Sequence, residues 1–127
     1  YQTFVHGDAK LANFCFAKDG SVAGVDFQYV GGGCGMKDVV YFMGGCLSSD
    51  ECVLYEMELL DYYFSELQTA LENTEINLDY HDLEREWKGM YSLASADFTR
   101  FLMGWLPSHH KINNYSLNML QSILAKL

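Results

Sequence analysis

The sequence predicts an α+β chain: a small β-hairpin with polar loops at its ends, followed by mainly α-helices. Three observations carry that reading. Aromatic and β-branched residues gather in short runs before Gln28, the turn signal Lys18-Asp19-Gly20-Ser21 separates two of those runs, and beyond about residue 36 apolar residues recur at steps of three and four. Tyr1 to His6, Asn13 to Ala17 and Val22 to Phe27 are the strand-like runs. The hairpin built on the turn returns the loop before Asn13 and the residue after Val25 to one end. Gly31, Gly32, Gly33 and Gly35 lack the spacing and the strand-then-helix setting of a nucleotide loop and are expected to form a flexible connector. A helix is expected from about Met36 to Asp38 as far as about Gly44.

Ser48 followed by Glu51 is a capping box, so a second helix should begin there, with Val53, Met57, Leu60, Phe64, Leu67 and Leu71 as its apolar stripe. Asp79 and Asp82 mark another start. The stripe behind them, Leu83, Trp87, Met90, Ala94, Phe98, Phe101 and Trp105, ends before Pro107. Leu117, Leu120, Ile123, Leu124 and Leu127 suggest a short last helix. The stripes read as core. No repeat or linker divides the chain, so residues 1–127 form a single unit, with loops and hairpin over 1–36 and a helical region over 37–127.

With 8 basic and 17 acidic side chains the net charge is −9. No basic stripe is present, which sets aside nucleic acid and anionic membranes as partners. No apolar run approaches the ~20 residues of a membrane span, and no leader is visible, so a cytoplasmic protein is expected. Cys15, Cys34, Cys46 and Cys52 form no ligand-spaced pair and are expected to be reduced, buried small hydrophobes. The chain opens at Tyr1 inside an apolar run and reads as a piece of a longer polypeptide. Twelve of the acidic residues lie from Asp50 to Glu86, against one basic residue, Arg85. If that region forms a substrate site its field favours a cation, with Trp87, Tyr91 and Trp105 as an aromatic wall. The plainer reading is a solvated acidic face and a core stripe.

The chemistry concentrates in His6-Gly7-Asp8-Ala9-Lys10-Leu11-Ala12-Asn13 and in Asp26. Phosphoryl transfer needs a carboxylate to orient and deprotonate a hydroxyl, and oxygen ligands to hold Mg²⁺ on the nucleotide phosphates. An Asp, an Asn five positions later and a second Asp beyond a hairpin supply these groups. Lys10 has the reach to contact a phosphate. His109 and His110 lack an acidic or Cys partner nearby and are not read as a metal site.

HGDAKLAN followed by VDFQ resembles the catalytic loop and metal-binding segment of the aminoglycoside phosphotransferase and choline kinase family. The DFQ spelling and the continuation GGGCGMKDVVYF are most similar to its ecdysteroid-kinase-like and CHK-kinase-like branch. The resemblance covers residues 1 to about 45. It implies a fragment of a protein-kinase-like C-terminal lobe, and an ATP- and Mg²⁺-dependent kinase acting on a small-molecule hydroxyl acceptor. In that reading Asp8 is the catalytic base, Lys10 assists catalysis and contacts phosphate, and Asn13 and Asp26 bind Mg²⁺ and with it the nucleotide. His6 and Gly7 shape the loop, and Asp38 caps a helix or anchors the metal loop. The nucleotide-binding lobe has no counterpart in these residues, so the isolated chain is expected to be inactive and prone to self-association. The rival expectation is a non-catalytic kinase-like binding or scaffold module.

Overall fold

The turn at Lys18-Asp19-Gly20-Ser21 forms where its composition places it, because Asp19 Oδ1 accepts from the Ser21 N–H at 3.0 Å and from its hydroxyl at 2.7 Å. In the computed structural model, which describes residues 1–126, this turn joins β2 (Phe14–Phe16) to β3 (Val22–Gly24). The pair is antiparallel, with Phe14 opposite Gly24 and Phe16 opposite Val22. A second two-stranded sheet encloses it. There β1 (Thr3–Val5) pairs antiparallel with β4 (Gly31–Gly33), Val5 facing Gly31 and Thr3 facing Gly33.

That second pair corrects the expectation of a flexible glycine connector. Gly31 to Gly33 carry no strand propensity, but a two-stranded ladder is held by main-chain hydrogen bonds, which glycine makes as well as any residue. The strand-like run at the N-terminus therefore pairs with the glycines and stays out of the hairpin.

Four helices follow: α1 (Met36–Cys46), α2 (Ser49–Glu72), α3 (Tyr80–Trp105) and α4 (Asn114–Leu124). The architecture is α+β, compatible with a kinase-like C-terminal-lobe fragment. The Ser48 and Glu51 capping box forms as expected at the start of α2, and Asp79 accepts from the Asp82 N–H at the start of α3. An unforeseen second capping box, Asn113 with Ser116, starts α4. Leu127, expected in the last helix, lies outside the described residues.

The core is made by Met36, Val40 and Met43 of α1, Leu60 and Phe64 of α2, and Leu83, Trp87 and Tyr91 of α3. Each large apolar side chain buried this way contributes about 1.5–3 kcal/mol. Trp87 and Tyr91 are thus core residues and not a wall for a cation, while Trp105 is 65% exposed. On α2 the buried face runs through Cys52, Leu60 and Phe64, and Val53, expected inside, is 70% exposed. The alternating three-and-four pattern is compatible with either neighbouring stripe, and packing against the other helices selects one. Of the cysteines, all four free, only Cys52 is buried; Cys15 and Cys46 are exposed.

Gly35 marks the tightest approach in this core. A Cβ there would come within 2.6 Å of both the Trp87 ring and the Tyr63 hydroxyl. Gly35→Ala should therefore cost about 1–3 kcal/mol by overpacking, read as a lower urea midpoint at unchanged slope. An unshifted midpoint would mean that the ring and the phenol yield freely.

α4 is tied down by polar contacts. The Tyr115 hydroxyl donates to Glu56 at 2.6 Å and pairs with the Tyr91 hydroxyl at 2.8 Å, and the Tyr115 N–H donates to the Ser49 hydroxyl at 3.1 Å. Burial, with hydrogen bonding to Glu56 and Tyr91, pushes the Tyr115 phenol far above its ordinary value, so it acts as a donor throughout the usual pH range. This network fixes the segment between Pro107 and Asn113, which lies against α1 beside the candidate site.

Candidate active site

β1 ends at the buried Val5, and the chain then makes a close turn. Gly7 has φ +78°, and a Cβ on it would sit 2.4 Å from the Tyr29 carbonyl oxygen, so only glycine fits. Asp38, in the first turn of α1, holds the turn: one carboxylate oxygen accepts from the His6 N–H at 2.6 Å and the other from the Gly7 N–H at 2.9 Å. The anchoring role expected for Asp38 is thus exercised on the loop carrying Asp8.

The His6 ring braces the same loop from inside. It sits between Phe14 and Phe27, with centroids 5.7 and 5.0 Å away. Its Nδ1 accepts from the Asp8 N–H at 3.3 Å and its Nε2 donates to the Val25 carbonyl at 2.9 Å. One ring therefore links the backbone of Asp8 to the residue before Asp26, with the proton on Nε2.

Asp8 is buried, and its carboxylate is held on one oxygen. Oδ2 accepts from Lys10 Nζ at 2.7 Å and from Asn13 Nδ2 at 3.0 Å, while the same Asn13 nitrogen donates to the Asp8 carbonyl at 2.9 Å. The short 3₁₀ turn Leu11–Asn13 brings Asn13 under Asp8. Burial pushes the Asp8 carboxyl up, but hydrogen bonding from Lys10, Tyr41 and Asn13 and the Lys10 charge outweigh it, leaving the group below its ordinary value. Its hydrogen bond with Asp8 pushes Lys10 up in turn. Lys10, expected at a phosphate, rests on the carboxylate, where it keeps Asp8 ionised.

Asp26 sits across the end of the hairpin, where the Val25 N–H donates to the Asn13 carbonyl at 2.9 Å. It is exposed and has φ 64°, a left-handed conformation that Asp tolerates at some cost and that concentrates at functional positions. Among the described residues no three His, Cys, Asp or Glu side chains converge as a metal cage. The residues fit Mg²⁺ in another way. Asn13 commits its amide nitrogen to Asp8, which leaves the oxygen end for a ligand, and Asp26 is an exposed carboxylate one residue past the Val25 amide bonded to the Asn13 carbonyl. Mg²⁺ is commonly held by one or two such groups, with waters and substrate phosphates completing the shell.

Two side chains were missed at the sequence level. Tyr41 follows Asp38 by one helical turn, and its hydroxyl is turned to Asp8, a placement the i, i+3 spacing could have suggested. Lys111 comes from the segment after Pro107, and its amine lies 4.4 Å above the Tyr41 ring centre. Nothing in the local sequence announces it. Ala9, Phe14, Phe16, Asp38, Phe42 and Leu59 help to line an open apolar cavity of about 780 Å³. No described helix is long and apolar enough to cross a membrane.

Residues 1–126 match a family model described as "Uncharacterized oxidoreductase dhs-27", a family of the ecdysteroid-kinase-like group. No curated protein and no solved structure matches the chain.

Proposed function

The chain belongs to that family of the ecdysteroid-kinase-like group, and from this membership and the site we propose that it is the C-terminal-lobe portion of an ATP-dependent small-molecule kinase of the aminoglycoside phosphotransferase and choline kinase type. The observation that carries the reading is the Asp8 carboxylate, buried yet held ionised by Lys10 at 2.7 Å and by Asn13 at 3.0 Å. Asp8 orients the acceptor hydroxyl and takes its proton as the oxygen bonds to the γ-phosphorus and ADP departs. Lys10 steadies that carboxylate and offsets charge gathering at the phosphoryl oxygens. Asn13 and Asp26 would hold Mg²⁺, which when bound supplies charge neutralisation on the nucleotide phosphates.

The oxidoreductase wording of the family description finds no support at the glycines. A dinucleotide site uses a glycine turn between a strand and a helix of a parallel sheet, whereas Gly31 to Gly33 are themselves a strand of an antiparallel pair.

The test is nucleotide affinity with and without Mg²⁺ in the intact protein. Outer partners of metal ligands commonly cost 10–100-fold in affinity when replaced, so Asp26→Asn, at a ligand itself, should weaken Mg²⁺-dependent ATP binding by at least about tenfold. Metal-dependent affinity that survives the change removes Asp26 from the metal site.

A further inference from the structure

Among the described residues, Lys111 is a cation beside the site that has no part in the chemistry above. Its stem is half-buried, its amine lies 4.4 Å above the Tyr41 ring centre and 5.6 Å from that of Phe98, and a Cβ on Gly45 would approach it to 3.1 Å. Among the described residues no Asp or Glu forms an ion pair with it, although the pairs of Lys10, Arg85, Lys88 and Arg100 are all present. Its segment is held in place by the Ser116 hydroxyl, which donates to the Lys111 carbonyl at 3.0 Å, and by the capping box of α4.

A partly desolvated ammonium without a directly paired carboxylate is costly, and the cation–π contacts with Tyr41 and Phe98 offset only part of that cost. Tyr41 connects the two ends of the arrangement: its ring carries the Lys111 amine and its hydroxyl is turned to Asp8. The spacing from Lys111 to Asp8 is therefore about one phenyl ring. The Asp8 charge reaches Lys111 but is already paired with Lys10, and Asp26 is assigned to Mg²⁺, so Lys111 has no carboxylate of its own.

We infer that Lys111 determines acceptor specificity, pairing with a negatively charged group, a carboxylate or phosphoryl oxygen, about one ring's length from the hydroxyl to be phosphorylated. This rests on the kinase reading. It gives the site a local field opposite in sign to the acidic surplus of residues 50–86.

Three matched alcohols probe it by calorimetry on the intact protein with ADP and Mg²⁺: para-(hydroxymethyl)benzoate, para-(hydroxymethyl)benzamide and para-(aminomethyl)benzyl alcohol. The benzoate should bind about tenfold tighter than the aminomethyl alcohol, with the amide between them. Lys111→Arg should keep that order, Lys111→Met, which retains the stem over Tyr41, should abolish it, and Lys111→Glu should reverse it. Absence of a preference for the benzoate in the unaltered protein overturns the inference. So does an order that survives Lys111→Met, including the case in which that variant instead weakens ATP binding. Because the readout is binding and not turnover, failure here is separable from failure of the kinase reading, which shows as nucleotide affinity indifferent to Asp26→Asn.

Discussion

Asp8→Asn in the intact protein should lower turnover by about 10²–10⁴-fold, the usual contribution of a positioned general base, while ATP affinity changes little. The amide keeps the volume and can still accept from Lys10 and Asn13, so the loop should stand; what is lost is the site for the acceptor proton. Turnover within a few-fold of the unaltered protein would reject the assignment. The pH dependence supplies a second reading of the same group. Asp8 sits below its ordinary value because the hydrogen bonds of Lys10, Tyr41 and Asn13 outweigh its burial. Its carboxylate is thus ionised above the usual Asp range of about 3.9, and an acid limb of the rate assigned to it should lie at or below that range. The stability it contributes follows the same sign: present above the unfolded value and lost as pH falls through the folded one.

Asp38→Ala should be the most damaging change away from the reacting atoms. It removes both acceptors that hold the His6 and Gly7 amides. Hydrogen bonds to charged groups contribute about 1.5–3 kcal/mol each, and the Gly7 bond is open to water and worth less, so the loss should be roughly 2–4 kcal/mol. Turnover should fall as well, since Asp8 follows Gly7 directly. Removal of a helix-end charge alone costs only about 0.3–1 kcal/mol, which separates the two roles. The discriminating measurement is hydrogen exchange: the His6 and Gly7 amides should lose protection ahead of the α1 interior. Uniform loss along α1, with those amides still protected, would assign Asp38 to the helix.

The helices were legible because their signals are local. Ser48 with Glu51 and Asp79 with Asp82 are caps whose partners lie within one turn, and Leu60, Phe64, Leu83 and Trp87 repeat at helical spacing. The hairpin was legible from its turn. What escaped depends on partners distant in sequence. Gly31 to Gly33 become a strand only because Thr3 to Val5 offer an edge, and no side-chain pattern records a main-chain pairing. Val53 and Cys52 compete for one helical face, and the way α2 packs on the other helices decides between them. Within the candidate site, Asp8, Asn13 and Asp26 stand out by motif spacing, whereas Lys111 arrives by tertiary packing of a segment that looks like ordinary loop. Lys10 turns its amine onto the Asp8 carboxylate, a direction that spacing does not give, since spacing sets only the reach of a flexible side chain.

The enclosure of one strand pair by the other bears on the order in which the site comes together during folding. The β2–β3 hairpin joins near neighbours, while the β1–β4 pair must close a loop over everything from His6 to Val30. Loop closure costs about 0.6 kcal/mol for each doubling of length, so the inner hairpin should zip first and shorten the path for the outer pair. The segments bearing Asp8 and Asp26 both lie inside that outer closure. The proposed base and the proposed metal ligand are accordingly assembled in one late step, and a chain that has folded its helices but left β1 unpaired would be compact with its candidate site unformed.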